Sequence, residues 1–335
     1  MVEIRATPGR PARAGWTVFA VAACFMGAVA AAQTASAQSA YPNKPIRVVV
    51  AFGPGGVTDI VARLVGKKLN EHFGQSVVVD NRAGAGGIVA SKLVAGAAPD
   101  GYTLLIISSA IAINAVTSRE GVDPRSELTP IALAASAPTV FATHRSSTAK
   151  SMMDLVRNVK ARRFTYATAG AGTAEHLTSE YIFKLEKDLE GVHVPFAGGG
   201  AAVTAVLGQQ VDIVTTPLPS ASAFIKDGRL RVLAVASHKR LSALPDVPTL
   251  AEAGFADLEN MTWVAYFGPA KLAAGITNIL NGAINNALQD AELIERLTAL
   301  GFTRHTGSAA EFSTYVRTEF TKWDQIVKKT GNPLK

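Results

Sequence analysis

Four glycine turns supply the chemistry in this sequence, and none comes with a nucleophile and base. They are Phe52-Gly53-Pro54-Gly55-Gly56, Gly84-Ala85-Gly86-Gly87, Ala169-Gly170-Ala171-Gly172 and Gly198-Gly199-Gly200, each between an apolar run and a helical stretch. Glycines at such junctions let backbone N–H groups point at a ligand, and the positive end of the following helix favours negative charge. The expected chemistry is capture of an anion by neutral donors. The plainer alternative for any one loop is an ordinary tight βα turn. Hydroxyls at strand ends add donors: Ser108, Ser109, Thr168 and Thr173, which could equally be turn and helix caps. His176 either lines the cleft or packs. Asp59 either caps its helix, orders water or accepts from a ligand hydroxyl or ammonium group.

Other chemistries lack their motifs. There is no G-x-x-x-x-G-K-[ST] loop, and Gly53-x-Gly55 and Gly84-x-Gly86 lack the third glycine of a dinucleotide site. The six histidines form neither H-E-x-x-H nor H-x-H, and no G-x-S-x-G elbow exists. The chain is therefore expected to be no enzyme and to carry no cofactor or metal.

The turns are positioned by a pattern that occurs twice. Strand Ile46–Ala51, helix Thr58–Phe73, strand Ser76–Val79, helix Ile88–Ala95 and strand Thr103–Ile107 form one copy. Strand Phe164–Thr168, helix Ala174–Lys187, strand Val192–Pro195, helix Ala201–Gln209 and strand Val211–Thr215 form the other. This βαβαβ order predicts a doubly wound parallel sheet, with ligands beyond the strands' carboxyl ends, where all four turns fall. Strand Ser136–Thr143 is expected to leave the first lobe, helix Met152–Ala161 to open the second, strand Leu230–Ala236 to follow, and Met261–Phe267 to return. A short helix is expected at Leu250–Ala253. Helices Ile276–Gln289, Ala291–Leu300 and Ala309–Lys328 finish the chain, the last with Phe312, Val316, Phe320 and Trp323 at helical spacing. The predicted division is lobe one at 41–140 plus 265–335 and lobe two at 141–264, joined by two hinge strands.

The N-terminus reads as a cleavable signal peptide, residues 1–37. Arg5, Arg10 and Arg13 precede the apolar stretch Trp16–Ala32, and Ala35-Ser36-Ala37 offers a cleavage site. A transmembrane anchor and a lipoprotein signal at Cys24 are the alternatives. Cys24 is the sole cysteine, so the processed chain would have none, which excludes disulfides and thiol chemistry. Three Arg and one Glu leave with the segment, lowering the formal charge of +7 by 2 to +5. The remaining basic residues are scattered and lack interleaved aromatics, so no nucleic-acid partner is expected.

Together these residues resemble the Bug family, the periplasmic substrate-binding receptors of tripartite tricarboxylate transporters. The resemblance rests on Tyr41-Pro42-x-Lys44-Pro45-Ile46-Arg47, Phe52-x-Pro54-Gly55-Gly56-x-x-Asp59 and Asn81-Arg82-x-Gly84-Ala85-Gly86-Gly87. It continues through Pro99-Asp100-Gly101-Tyr102-Thr103-Leu104, Gly170-x-Gly172-Thr173-x-x-His176-Leu177, Val194-Pro195-Phe196-x-Gly198-Gly199 and Leu244-Pro245-Asp246-Val247-Pro248-Thr249-Leu250-x-Glu252-x-Gly254. It covers essentially the whole processed chain. It departs at Gly53 and Ala83, where prolines are usual, at Ile111–Ala115, where a histidine is common, and after Phe267, where Gly-Thr-Pro is missing.

The resemblance implies a two-lobed, type II-like "Venus flytrap" of α/β class, each lobe a mostly parallel sheet flanked by helices. It implies a small organic carboxylate, a dicarboxylate or aromatic acid, delivered to integral-membrane permease subunits by a monomer in the periplasm. A sensory protein presenting ligand to a receptor kinase, or an exported enzyme using the same cleft, are the alternatives. The candidate ligand-binding residues are Phe52, Gly53, Gly55, Gly56, Thr58, Asp59, Ala85, Gly86, Ser108, Ser109, Thr168, Gly170, Thr173, His176, Phe196 and Thr216.

Overall fold

In the computed structural model, which describes residues 1–3, 41–159, 164–186 and 189–330, both glycine-turn repeats fold as parallel βαβ units. The first runs β1 (Ile46–Val50), α1 (Val57–Phe73), β2 (Val77–Asn81), a single 3₁₀ turn, α2 (Ile88–Ala95) and β3 (Thr103–Ser108). Helix α3 (Ala110–Thr117) and the 17-residue β4 (Leu128–His144) follow. The second unit runs α4 (Met152–Val159), β5 (Phe164–Thr168), α5 (Ala174–Glu180) with a π-helical extension, β6 (Gly191–Pro195), α6 (Gly199–Leu207) and β7 (Ile213–Pro217). Then come α7 (Leu218–Lys226), β8 (Leu230–Ala236), β9 (Met261–Pro269), α8 (Ala274–Leu288), α9 (Ala291–Leu300), β10 (Thr303–Arg304) and α10 (Ala309–Thr330).

The strand order is β2-β1-β3-β9-β4-β7-β5-β6, with β8 and β10 also on β4. Strands β2, β1 and β3 are parallel, as are β6, β5 and β7, while β9 and β4 run antiparallel to their neighbours. Four of the five residues of β1 are fully or nearly fully buried, which its continuous Ile/Val sequence permits because helices cover both sheet faces. Strand β4 belongs to both halves. Leu128–Pro138 lies beside β9, whereas Thr139–His144 lies beside β7 and β8. Strand β9 keeps to β3 and the first part of β4 along its whole length.

Separate hydrophobic clusters serve the two halves. One gathers Val49, Leu105, Ile107, Trp263, Phe267 and Phe312. The other gathers Phe141, Phe164, Tyr166, Phe183, Leu233 and Leu250, with Phe164 edge-on to Phe183 at 4.9 Å.

One sequence expectation changes. Leu250–Ala253 is a pair of hydrogen-bonded turns instead of a helix, closed by Ala253 N–H to Thr249 O and Gly254 N–H to Ala251 O, both 3.0 Å. The left-handed Gly254, φ 81°, stops it after one turn. Ala110–Thr117, where no element is expected, is a helix. The expected leader beyond residue 3, with Cys24, and the basic run 160–163 lie outside the described residues. Among the described residues no helix is long and apolar enough to cross a membrane.

Candidate functional site

The carboxyl ends of the strands bring the four glycine turns face to face. Gly53 N–H donates to Ala197 O at 2.7 Å, joining the loop after β1 to the loop after β6. A Cβ on Gly200 would stand 2.5 Å from Pro54 O, and one on Gly86 would stand 2.3 Å from Ala171 O. One on Gly198 would stand 2.9 Å from Gly53 N, and one on Gly170 3.6 Å from the Gly86 Cα. The turns therefore allow backbone to meet backbone across the cleft. Gly53, Gly55, Ala85, Gly86, Gly170 and Phe196 all belong to these meeting loops.

Beneath them lies a cavity lined by Phe52, Gly56, Val57, Thr58, Ser108, Ala169, Thr173, Glu175, Gly199, Pro217, Ser220 and Thr262. Five expected residues line it: Phe52, Gly56, Thr58, Ser108 and Thr173. Seven lining residues were not expected, of which Glu175, Ser220 and Thr262 carry polar side chains.

Four helices present their N-termini here, α5 capped by Thr173 and three others uncapped. Helices α1, α6 and α7 begin after Gly56, Gly198 and Pro217, and no side chain caps any of them. Their positive dipole ends and first-turn N–H groups, except at Pro219 of α7, which has none, can thus meet an anion. Around them stand buried hydroxyls without a protein partner: Thr58 Oγ1, Thr216 Oγ1 and Ser220 Oγ, with Ser109 Oγ nearby in sequence to the cavity-lining Ser108. A Cβ on Gly199 would stand 2.8 Å from Ser220 Oγ and 3.0 Å from Thr216 Oγ1, which places those hydroxyls at the start of α6. Buried polar groups ordinarily have partners, so a cluster of orphans at one cavity marks a place for a ligand or water. None of the described lining residues is basic.

Asp59 is turned to structural use. Its carboxylate accepts from Gly55 N–H, Arg63 Nε and Asn81 Nδ2, each at 3.0 Å, while Asn81 also donates to Phe52 O at 2.8 Å. Burial pushes the Asp59 carboxyl up, but the bonds from Arg63, Gly55 and Asn81 outweigh it and hold the group below its ordinary value. Asp59 therefore stays ionised, neutralised by Arg63, and pins the Phe52–Gly56 loop. The loop at Ala85-Gly86 has φ of 46° and 64° and is held by Asn114 Nδ2 donating to Gly86 O at 2.9 Å.

In the second half, Thr173 caps α5 by accepting from His176 N–H at 3.3 Å and donates to Gly170 O at 2.9 Å. Gly172 N–H donates to His176 Nδ1 at 3.3 Å. The His176 ring stacks on His193 with centroids 3.8 Å apart, and Thr168 Oγ1 bonds His193 Nε2 at 2.7 Å. Burial first, then His176 beside it, pushes the His193 imidazole down to about 3, and burial also lowers His176. Both rings are neutral props for the Ala169–Thr173 loop. Thr168 and His176 thus stand behind the cavity wall.

Glu175 is the unexpected member. It is 3% exposed, it lines the cavity, and it accepts a hydrogen bond from the Thr262 hydroxyl of β9. Burial pushes its carboxyl above the ordinary range. Among the described residues there is no cluster of three or more metal-ligating side chains.

Residues 61–332 match the model of the tripartite tricarboxylate transporter family receptor. Protein BugT of Bordetella pertussis is 33% identical over 323 residues, 95% of this chain and 98% of its own. The structure of R. palustris Rpa4515 with adipate superposes with a TM-score of 0.81 at 30% identity, covering 87% of this chain and 98% of that one. MatC from Rhodopseudomonas palustris, with bound malate, gives 0.78 at 28% identity over 86% of this chain and 100% of its own. The two-lobed binding-protein fold implied by the sequence is thus the fold of this chain.

Proposed function

This chain belongs to the tripartite tricarboxylate transporter receptor family, and on that premise we propose that it is a periplasmic solute-binding protein that captures a small organic dicarboxylate and hands it to membrane permease subunits. The observation that carries the reading is the meeting of three uncapped helix N-termini with the orphan hydroxyls of Thr58, Thr216 and Ser220 around one cavity. Neutral donors and helix dipoles stabilise a carboxylate without a basic side chain, so release needs no ion pair to be broken. Relatives with adipate and malate bound share the fold, and both molecules are dicarboxylates.

Capture works by bending. We place the division between the halves, expected at 140/141 and 264/265, where β4 exchanges partners between Pro138 and Thr139 and where the chain enters β9 after Asn260, so that Met261–Val264 stay with the first half. Thr139 N–H donates to Asn260 O at 3.0 Å, so the two crossings lie side by side. A ligand bonded to both halves shifts the equilibrium towards the closed form, which the permease reads. The family it belongs to is one of transporter receptors, which favours binding over catalysis.

The test is a thermal-shift screen of mono-, di- and tricarboxylates. A true ligand at about 100 times its Kd stabilises by roughly 2.7 kcal/mol. No shift with any acid removes the reading. Mass spectrometry of the exported protein is expected to find Gln38 at its N-terminus.

A further inference from the structure

The three uncapped N-termini account for one carboxylate, and Glu175 is the polar lining residue they leave without a role. It sits at the second position of α5, where an acid ordinarily complements the helix dipole from the surface. Here it is buried against β9, and the groups facing it are hydroxyls: Thr262 donates to its Oε1, and Thr173 lies beside it at the helix start. His176, the next residue on α5, is a neutral ring engaged with Gly172 and His193. Glu180, further along the same helix, bonds the Tyr166 hydroxyl. No described cavity-lining residue is a cation that could pair with Glu175.

We propose that Glu175 is the specificity-determining residue for the far end of the ligand: a neutral carboxyl, steadied by Thr262, that donates its proton in a hydrogen bond to the ligand's second carboxylate. The assignment rests on the carboxylate reading above. Burial that raises the carboxyl keeps the proton in place, and an approaching carboxylate raises it further, because two such groups share one proton more readily than both ionise. The hydrogen bond between an acid and a carboxylate is short and charge-assisted. An ester or amide at that end accepts the same proton without charge, so it is held more weakly. The site therefore ranks diacids above their half-esters without any basic residue at that end.

The experiment is isothermal titration of the purified protein with succinate, adipate and suberate and with the monomethyl ester of each, repeated for Glu175→Gln, Glu175→Ala and Thr262→Val. The wild type is expected to prefer a diacid over its half-ester by at least about tenfold. Glu175→Gln, an isosteric neutral donor, keeps most of that preference, and Glu175→Ala brings the ratio near one. Thr262→Val reduces it and serves if the alanine variant does not fold. A ratio unchanged in Glu175→Ala or in Thr262→Val, or one lost in Glu175→Gln as fully as in Glu175→Ala, overturns the role of Glu175 while the receptor reading stands. A wild type that binds half-esters as tightly as diacids also overturns it. A wild type that binds none of the six overturns the dicarboxylate reading and the proposal together.

Discussion

The amide of Gly53 and the carbonyl of Ala197 form a 2.7 Å hydrogen bond between a loop of the first half and a loop of the second. This backbone contact and the glycine approaches around it define how closely the halves can meet, and each has a consequence that substitution can expose.

Gly200→Ala should cripple ligand capture without unfolding the protein. The new Cβ would lie 2.5 Å from Pro54 O and 3.1 Å from Gly55, both backbone atoms that cannot swing away. Gly200 itself has ordinary helical geometry on α6, where alanine is favoured over glycine by about 1 kcal/mol. Calorimetry is expected to show affinity for the best screened acid down at least about tenfold, with an unchanged or higher Tm. Gly275→Ala, with nothing within 4 Å of its Cβ, is the neutral control.

Thr58→Val and Ser220→Ala remove hydroxyls that bond nothing in the protein. Stability should therefore hold or rise slightly. Each should weaken carboxylate binding by about 1.5–3 kcal/mol, the range for a hydrogen bond to a charged group. Denaturation midpoints and titration calorimetry on the same samples separate the two effects.

Glu175 makes stability fall with alkalinity. Its folded carboxyl titrates above the ordinary 4.5. Its contribution is thus fully present below that value and is lost as pH rises through the folded one. Urea midpoints measured from pH 5 to 9 should decline less steeply in Glu175→Gln than in the wild type.

The histidine stack acts at the other end of the scale. His193 is depressed from 6.5 to about 3, and His176 is lowered too. Their contribution is present above 6.5 and lost as pH falls towards 3, since the unfolded chain takes up the protons first. His193→Asn should flatten the acid limb of the stability profile, read by circular dichroism, relative to wild type.

Much of this architecture is legible in sequence because it is local. The stretches Ile88–Ala95, Phe164–Thr168, Leu230–Ala236 and Ala291–Leu300 announce themselves by apolar runs or helical periodicity bounded by turn residues, and they fold with those bounds. The glycine turns are equally visible, though what they face is not: only the closed pairing of loops shows that Gly86 meets Ala171 and Gly200 meets Pro54. Glu175 stood in the sequence as an unremarked position between Thr173 and His176. Its burial depends on Thr262, 87 residues away, and no local pattern encodes that contact. Ser220 was hidden likewise, its hydroxyl given a site by the start of α6 instead of by its own neighbours.

The strand order has a consequence for how the chain is made. Strands β3 and β4 are not neighbours; β9 is inserted between them, pairing Leu105 with Phe267 and Leu128 with Pro269. A growing chain that has not yet reached residue 269 has a missing stave in its first sheet, with the edges of β3 and β4 unpaired. Closing that gap needs contacts very distant in sequence, and such topologies fold slowly. Four-fifths of the polypeptide must emerge before the first half can be completed, whereas the second half has all of its strands in hand earlier.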